Sequence, residues 1–313
     1  MTLYVFNPEH DICLANGDAH FVPPQMALRF AERSCGVMRW LSFEPDKALC
    51  TTADGVGALM AQHPGIDAIV PWGWDATLVA TLLKQGVPET LLLSEEQLRQ
   101  WRRLQHRTTA LSVFPTEAVA AASVEEVLSY LSLHHNIILK APWSGSGQGI
   151  RPVRGQLTQH DRGWIANICR RQACVIAEPR YDVVQDFALE FEVGERVSLV
   201  GYSLFRTQGG AYQYNELLFD EEIFARLEPY GLRDEVVDAA SRIMAWAESH
   251  VAGCYQGPMG VDMYVHRRLE GYALCPMCEI NFRYTMGLVA HEYLRHNPSH
   301  HGRRFSPFQE EAL

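Results

Sequence analysis

Residues Ile137-Ile138-Leu139-Lys140-Ala141-Pro142-Trp143-Ser144-Gly145-Ser146-Gly147-Gln148-Gly149 join a lysine to a loop holding three glycines and two serines. A lysine ending an apolar strand is costly to bury unless it meets an anion. Glycines let backbone N–H groups approach phosphate oxygens, and serine hydroxyls add neutral donors. Lys140, Ser144, Gly145, Ser146, Gly147 and Gly149 are therefore candidates to cradle phosphate. No Gly-Lys-Ser/Thr closes the loop and its glycines miss the dinucleotide spacing, so it is neither of those fingerprints. The same residues also read as a plain hairpin turn beside a snorkelling lysine.

A second group lies further along the chain. Glu279 and Asn281 are two apart on an expected strand, so they share a face, and Asp262 is available one hairpin away. Two carboxylates and an amide oxygen make a hard oxygen set of the kind Mg²⁺ uses while it also holds nucleotide phosphates. Arg283, again two residues on, extends that face with a charge suited to phosphate or an anionic intermediate. An exposed polar sheet face is the competing reading.

The elements that must position these groups follow from periodicity. Leu3–Phe6 and Ala68–Val70 read as strands ending at polar loops, Gly36–Phe43 as an interrupted strand, and Ala53–Gln62 and Ala76–Gln85 as helices. This alternation predicts an open α/β unit with ligand sites beyond the carboxyl ends of its strands, near Asn7, Glu9, His10, Asp11 and Asp75. Ser94 caps an expected helix over Glu95–Leu111. Then come a helix over Val124–Leu133, strands at Asn136–Lys140 and Ile150–Val153, a helix around Arg162–Arg171 and a strand at Ala173–Ala177. Phe187–Phe205 reads as a long hairpin, Asp234–Val251 as a helix, and Val261–Val265 with Tyr272–Ile280 as two more strands.

Several other patterns are weaker. Cys275-Pro-Met-Cys278 has metal-ligand spacing but no second such pair, so packing is the better reading. His291 and His296 are five apart, roughly 140° around a helix, and cannot face one metal. The tail His296–Arg304 reads as a solvated basic terminus, Arg206, Tyr212 and Asn215 bracket a loop at Gly209-Gly210, and Trp72 and Trp74 read as packing.

Composition narrows the function classes. The 313 residues are 47% hydrophobic and 20% charged, with 27 Lys and Arg against 37 Asp and Glu, a net charge of −10. That balance argues against nucleic acid or an anionic membrane as partner. Eight cysteines without an export signal are expected to stay thiols, and no apolar run is long enough to span a membrane, which gives a cytoplasmic expectation.

Over residues 95 to 290, these segments resemble, in order, those of the ATP-grasp enzymes. Lys140 to Gly149 is similar to the family's phosphate-covering loop, and the lysine that members carry before it is matched in charge by Arg107. Ala173 to Pro179, ending in Glu178, looks like the strand that meets adenine, and Asp186 like the acid that meets ribose. Asp262, Glu279 and Asn281 look like the magnesium set, with Arg283 as the phosphate-facing arginine. The resemblance implies an α/β and α+β chain: an N-terminal open α/β domain over residues 1–94, an ATP-grasp lid subdomain over 95–178 and a C-terminal subdomain with the metal site over 179–313. It implies ATP and Mg²⁺ or Mn²⁺ as cofactors, and a ligase that activates a small-molecule carboxylate as an acyl phosphate for attack by an amine or thiol. Lys140 and Arg283 would then act on the transferring phosphoryl group. Two other readings keep the nucleotide: a kinase-like phosphotransferase, and a nucleotide-binding sensor with little turnover.

Overall fold

The computed structural model describes residues 1–145, 149–209 and 211–307. Among the described residues the strands form three sheets. The first is parallel: β1 (Thr2–Val5) lies between β2 (Leu49–Thr51) and β3 (Ala68–Pro71). Around it run α1 (His10–Asn16), α2 (Gln25–Ser34), α3 (Val56–Gln62) and α4 (Ala76–Lys84). Asp75 caps α4, its carboxylate accepting from the Leu78 N–H at 2.9 Å.

The expected strand at Gly36–Phe43 is instead a 3₁₀ helix, Cys35–Leu41. Val37 and Met38 are both fully buried, and two adjacent buried residues fit a helical turn rather than the alternation of a half-buried strand. The place beside β1 goes to Leu49–Thr51, which the sequence reading missed. The helix expected over Glu95–Leu111 is broken into α5 (Glu95–Leu104) and α6 (Thr108–Leu111). The break lets Gln105 reach His10, at 2.9 Å, and lets the Arg107 N–H donate to the Pro142 carbonyl at 3.2 Å.

The second sheet is antiparallel in the order β4-β7-β5-β6, from β4 (Val119–Ala121), β5 (Asn136–Lys140), β6 (Ile150–Arg154) and β7 (Val175–Pro179). The helices α7 (Val124–His134) and α8 (Gln159–Gln172) contribute to its core. Ile137 and Leu139 point into that core, so by alternation Ile138 and Lys140 take the opposite face, where Ile138 pairs with Glu178 and Lys140 with Ile176.

The third sheet has the order β12-β11-β8-β9-β10-β13. Its strands are β8 (Asp182–Val193), β9 (Val197–Gln208), β10 (Ala211–Glu216), β11 (Gly257–Arg267), β12 (Tyr272–Asn281) and β13 (Arg304–Phe305). Phe187, Leu189, Phe191, Val261, Met263 and Ile280 pack on one face with α10 (Arg233–His250); α9 (Asp220–Leu227) joins the same core. The other face carries the polar residues, and α11 (Met286–His296) contacts β9 there. The tail departs from a fully solvated terminus: β13 pairs with β10, the Leu217 N–H donates to the Arg303 carbonyl, and His300 is half-buried beside Tyr293, although His301, Arg303 and Arg304 stay exposed. Arg206 lies on β9, and Tyr212 and Asn215 on β10, where the Tyr212 hydroxyl donates to Asn215 at 2.7 Å, so these three belong to a strand pair rather than a loop.

Candidate active site

The polar faces of the second and third sheets enclose a cleft of about 710 Å³. Lys140, Ile176 and Glu178 line it from one side, and Tyr264, His266, Met277 and Cys278 from the other. Lys140 is buried, and its Nζ lies 2.6 Å from Glu178 Oε1. Burial works against its charge, but the Glu178 carboxylate outweighs that and holds the ammonium pKa above its ordinary value. The anion beside Lys140 is thus a protein carboxylate, that of Glu178.

Asp262 and Glu279 stand directly opposite one another on β11 and β12, and Asn281 pairs with Gly260 on the same face. Asn281 Nδ2 lies 3.4 Å from Asp262 Oδ2. Burial, and next the charge of Glu279, push the Asp262 pKa up. Two carboxylates crowded in this way gain from a divalent cation between them, and two carboxylates with an amide oxygen suit Mg²⁺ that completes its shell with phosphates and water. On that ground Asp262, Glu279 and Asn281 fit the ion.

Arg107 connects this group to the glycine-rich loop. Its Nη1 donates to the Ala141 carbonyl and to Ser144 Oγ, each at 2.5 Å, and its Nη2 to the Ser144 carbonyl at 3.0 Å. The same Nη2 lies 2.7 Å from Glu279 Oε2. Burial opposes the charge, and Glu279 more than restores it, so the Arg107 pKa is raised. Buried Arg107 thus pins Ala141 and Ser144, at the start of the glycine-rich loop, to Glu279 on β12.

Arg283 makes a forked contact with Asp11, Nε to Oδ1 at 3.1 Å and Nη2 to Oδ2 at 3.0 Å. Burial disfavours the Asp11 charge, but Arg283 overrides it and lowers the pKa. Gly145 lies against this pair: a Cβ there would fall 1.9 Å from Asp11 Oδ2, so only glycine fits. Gly149 has a φ of +79°, a conformation that side-chain-bearing residues rarely adopt. Ser146 and Gly147 lie outside the described residues.

The remaining candidate, Asp186, sits on β8 opposite Tyr264 and accepts from Thr207 Oγ1 at 3.0 Å. Burial raises its pKa. It shares the sheet face with Asp262 but does not line the cleft. Asp11, which the sequence reading placed near a ligand crevice of the N-terminal unit, is instead engaged by Arg283 through the long-range packing of α1. One further acid escaped the sequence reading. Glu190, fully buried on the Asp262 face, accepts from Ser203 at 3.0 Å and Thr285 at 2.8 Å; its signal was an acid amid the apolar run Phe187-Ala188-Leu189-Glu190-Phe191. Among the described residues no group of three or more His, Cys, Asp or Glu is placed to hold a metal, and Cys275 and Cys278 are free thiols whose pKa values burial raises.

No family model and no curated protein matches the sequence. Solved structures do match the fold. N5-carboxyaminoimidazole synthetase from Staphylococcus aureus, complexed with ADP, aligns over 91% of this chain and 70% of that chain, with a TM-score of 0.51 and 13% identity. D-cycloserine synthetase DcsG aligns over 94% of this chain and 98% of its own, with a TM-score of 0.53 and 14% identity. The chain has the ATP-grasp fold. Pyruvate carboxylase from Rhizobium etli shares it across 94% of this chain and 27% of that much longer one, at a TM-score of 0.54 and 16% identity. In this chain the cleft lies between the two antiparallel sheets, and among the described residues none from the parallel sheet lines it. Among the described residues no helix is long and apolar enough to cross a membrane.

Proposed function

We propose that the protein is an ATP- and magnesium-dependent ligase that converts a small-molecule carboxylate to an acyl phosphate for attack by an amine or thiol. The observation that supports this reading most is the chain of contacts made by Arg107, which lines the cleft with Lys140 and Glu178 and reaches both Ser144 and Glu279, the latter opposite Asp262. The ATP-grasp fold, and the names of its neighbours as synthetases and a carboxylase, one of them holding ADP, support it. Residues 1–94, 95–178 and 179–313 serve in this reading as the preceding α/β domain, the lid and the metal-bearing subdomain.

Hydroxide is a poor leaving group and phosphate a good one, so activation makes a carboxylate open to attack. Lys140 faces the cleft where the nucleotide phosphates would lie, and Arg283 supplies a second fixed charge once it shares or leaves Asp11. When bound to Asp262, Glu279 and Asn281, Mg²⁺ supplies charge neutralisation at the phosphate oxygens. Glu178 and Asp186 are assigned to the nucleoside end. Ser144 to Gly149 would cover the phosphates and exclude water from the acyl phosphate. Alignment and charge stabilisation carry the reaction, and no protein nucleophile is required.

Incubation with Mg-ATP and pooled carboxylates, amines and thiols, following ADP, phosphate and new masses together, tests the reading. Stoichiometric ADP and phosphate with a new condensed product are expected. A stable phosphorylated acceptor without free phosphate would replace the ligase with a kinase-like phosphotransferase. Nucleotide binding without ADP release across the pool would leave a nucleotide-binding sensor.

A further inference from the structure

A second cavity, of about 260 Å³, lies in the N-terminal unit and shares no lining residue with the cleft of Lys140. Asn7 and Glu9 enter it just beyond β1, Thr52 and Asp54 just beyond β2, and Asp75 just beyond β3. These are the carboxyl ends of three parallel strands in the order β2-β1-β3, and the chain crosses from β1 to opposite neighbours there, which is where open α/β sheets bind ligands. Its volume falls just under the roughly 300 Å³ at which small-ligand pockets begin.

The lining of this cavity includes an acid with one unpaired oxygen. Glu9 is 7% exposed, and its Oε2 is buried without a hydrogen-bond partner. Its neighbour Asp75 is already engaged, by His10 Nδ1 at 3.1 Å and by the Leu78 N–H, so it offers Glu9 no proton donor. Burial, and then the charge of Asp75, make the ionised form of Glu9 expensive, and its pKa is pushed up to about 7. Asp54 and Glu32 add exposed carboxylates among the lining residues, against Lys84 and His20. Glu9 and Asp11 are two residues apart at the start of α1, about 200° around its axis, so the helix turns one acid to this cavity and the other to Arg283.

We propose that this cavity binds a compact primary ammonium, whose N–H group donates to Glu9 Oε2 and whose short apolar stem packs on Phe21, Pro23 and Leu28. A single orphan oxygen suits the point charge of an ammonium, whereas a guanidinium seeks two parallel acceptors. This goes beyond the ligase reading, and none of the cavity's residues belongs to the machinery assigned there.

Saturation-transfer NMR and calorimetry with n-butylammonium chloride, against n-butanol as the neutral isostere, test it on the full chain. Saturable butylammonium binding is expected below about 20 mM, at least tenfold tighter than the alcohol. Glu9→Gln, which keeps shape and removes charge, should weaken the amine by at least tenfold and leave Mg-ATP affinity unchanged. Equal binding of amine and alcohol, or no saturable amine binding, would leave Glu9 a neutral buried acid and overturn the proposal. The wild-type comparison decides this even if the variant folds poorly, and a negative result leaves the ADP-release test of the ligase reading untouched.

Discussion

Replacing Lys140 with methionine separates two views of what the strand lysine does before nucleotide arrives. From the sequence, an ammonium at the end of an apolar strand is a cost that only phosphate relieves, so Lys140→Met should leave the nucleotide-free protein as stable or slightly more so. In the structure Lys140 is met by Glu178 at 2.6 Å, with side-chain exposures of 10% and 14%. Removing the lysine strands a buried carboxylate, and breaking a fully buried pair from one side costs about 3–5 kcal/mol. The cleft of about 710 Å³ gives Glu178 access to water, so roughly 2 kcal/mol is the expected loss here, a fall in Tm of about 3 °C for a chain of this length. Because Glu178 holds the Lys140 pKa above its ordinary value, Lys140 is fully charged below the free-lysine range of about 10.4, and a measurement at neutral pH reads the pair's contribution without interference from lysine titration.

Urea denaturation of wild type, Lys140→Met, Glu178→Gln and the double variant closes the cycle. Lys140→Met alone should be the least stable, and adding Glu178→Gln should restore most of the loss, for a coupling energy of about 2 kcal/mol. ADP release with a productive substrate pair should fall at least tenfold in Lys140→Met and in the double variant alike. Unchanged or increased stability of Lys140→Met without nucleotide would refute the structural argument. Unchanged ADP release would instead remove Lys140 from phosphate binding.

Other expectations follow from single contacts. Glu279→Gln should cut Mg²⁺-dependent ADP release by more than tenfold, far more than it lowers stability, since the amide oxygen still accepts from Arg107 although the counter-charge is lost; Mg²⁺ titration of turnover alongside Tm checks it, and activity restored by Zn²⁺ alone would count against the site. Gly145→Ala places a Cβ 1.9 Å from Asp11 Oδ2, so the lid loop cannot close as seen; turnover should drop about tenfold while circular dichroism is unchanged, and wild-type rates would show that this closure is not needed. For Glu9 the folded pKa is raised to about 7, so the native state holds the extra proton and stability falls as pH rises from about 4.3 through 7, then levels. Glu9→Gln should therefore match wild type near pH 4 and exceed it by up to a few kcal/mol at pH 8; equal pH dependence in the two proteins would mean that Glu9 ionises freely.

Much of the architecture was written in local pattern. Asn136–Lys140 is a β-rich run bounded by a polar turn and a glycine loop, and it forms a strand with those bounds. Glu279 and Asn281 could be put on one face because the strand period is two, and the hairpin returned Asp262 opposite Glu279. Long-range choices were less legible. Gly36–Phe43 has strand-like composition, yet burial of Val37 and Met38 makes it a 3₁₀ turn, and the weak three-residue run Leu49–Thr51 gained the edge of the parallel sheet through pairing with β1. The break of the expected helix at Gln105–Arg107 had no punctuating Gly or Pro; contacts with His10 and the Pro142 carbonyl, 95 and 35 residues distant, set it.

The contacts of Arg107 and Arg283 bear on how such a site can be both stable and ready. Each guanidinium is buried against a carboxylate, Glu279 at 2.7 Å and Asp11 at 3.0 Å, and each also touches backbone carbonyls. A cation held only for an incoming phosphate would impose its full desolvation cost on the empty protein. Pairing it with a carboxylate removes most of that cost, and a divalent cation at Asp262 and Glu279 would compete with Arg107 for Glu279. In the proposed reading, loading the metal would loosen the grip of Arg107 on β12 while its contacts with Ala141 and Ser144 remain, so phosphate neutralisation and release of the glycine-rich loop would be coupled through Glu279. Arg107→Lys keeps the charge but loses the fork that spans both partners, and it should raise apparent Mg²⁺ affinity while lowering kcat. Metal titration of ATP turnover reads both; a parallel fall in Mg²⁺ affinity and kcat would mean that Arg107 supports the metal group rather than competing with it.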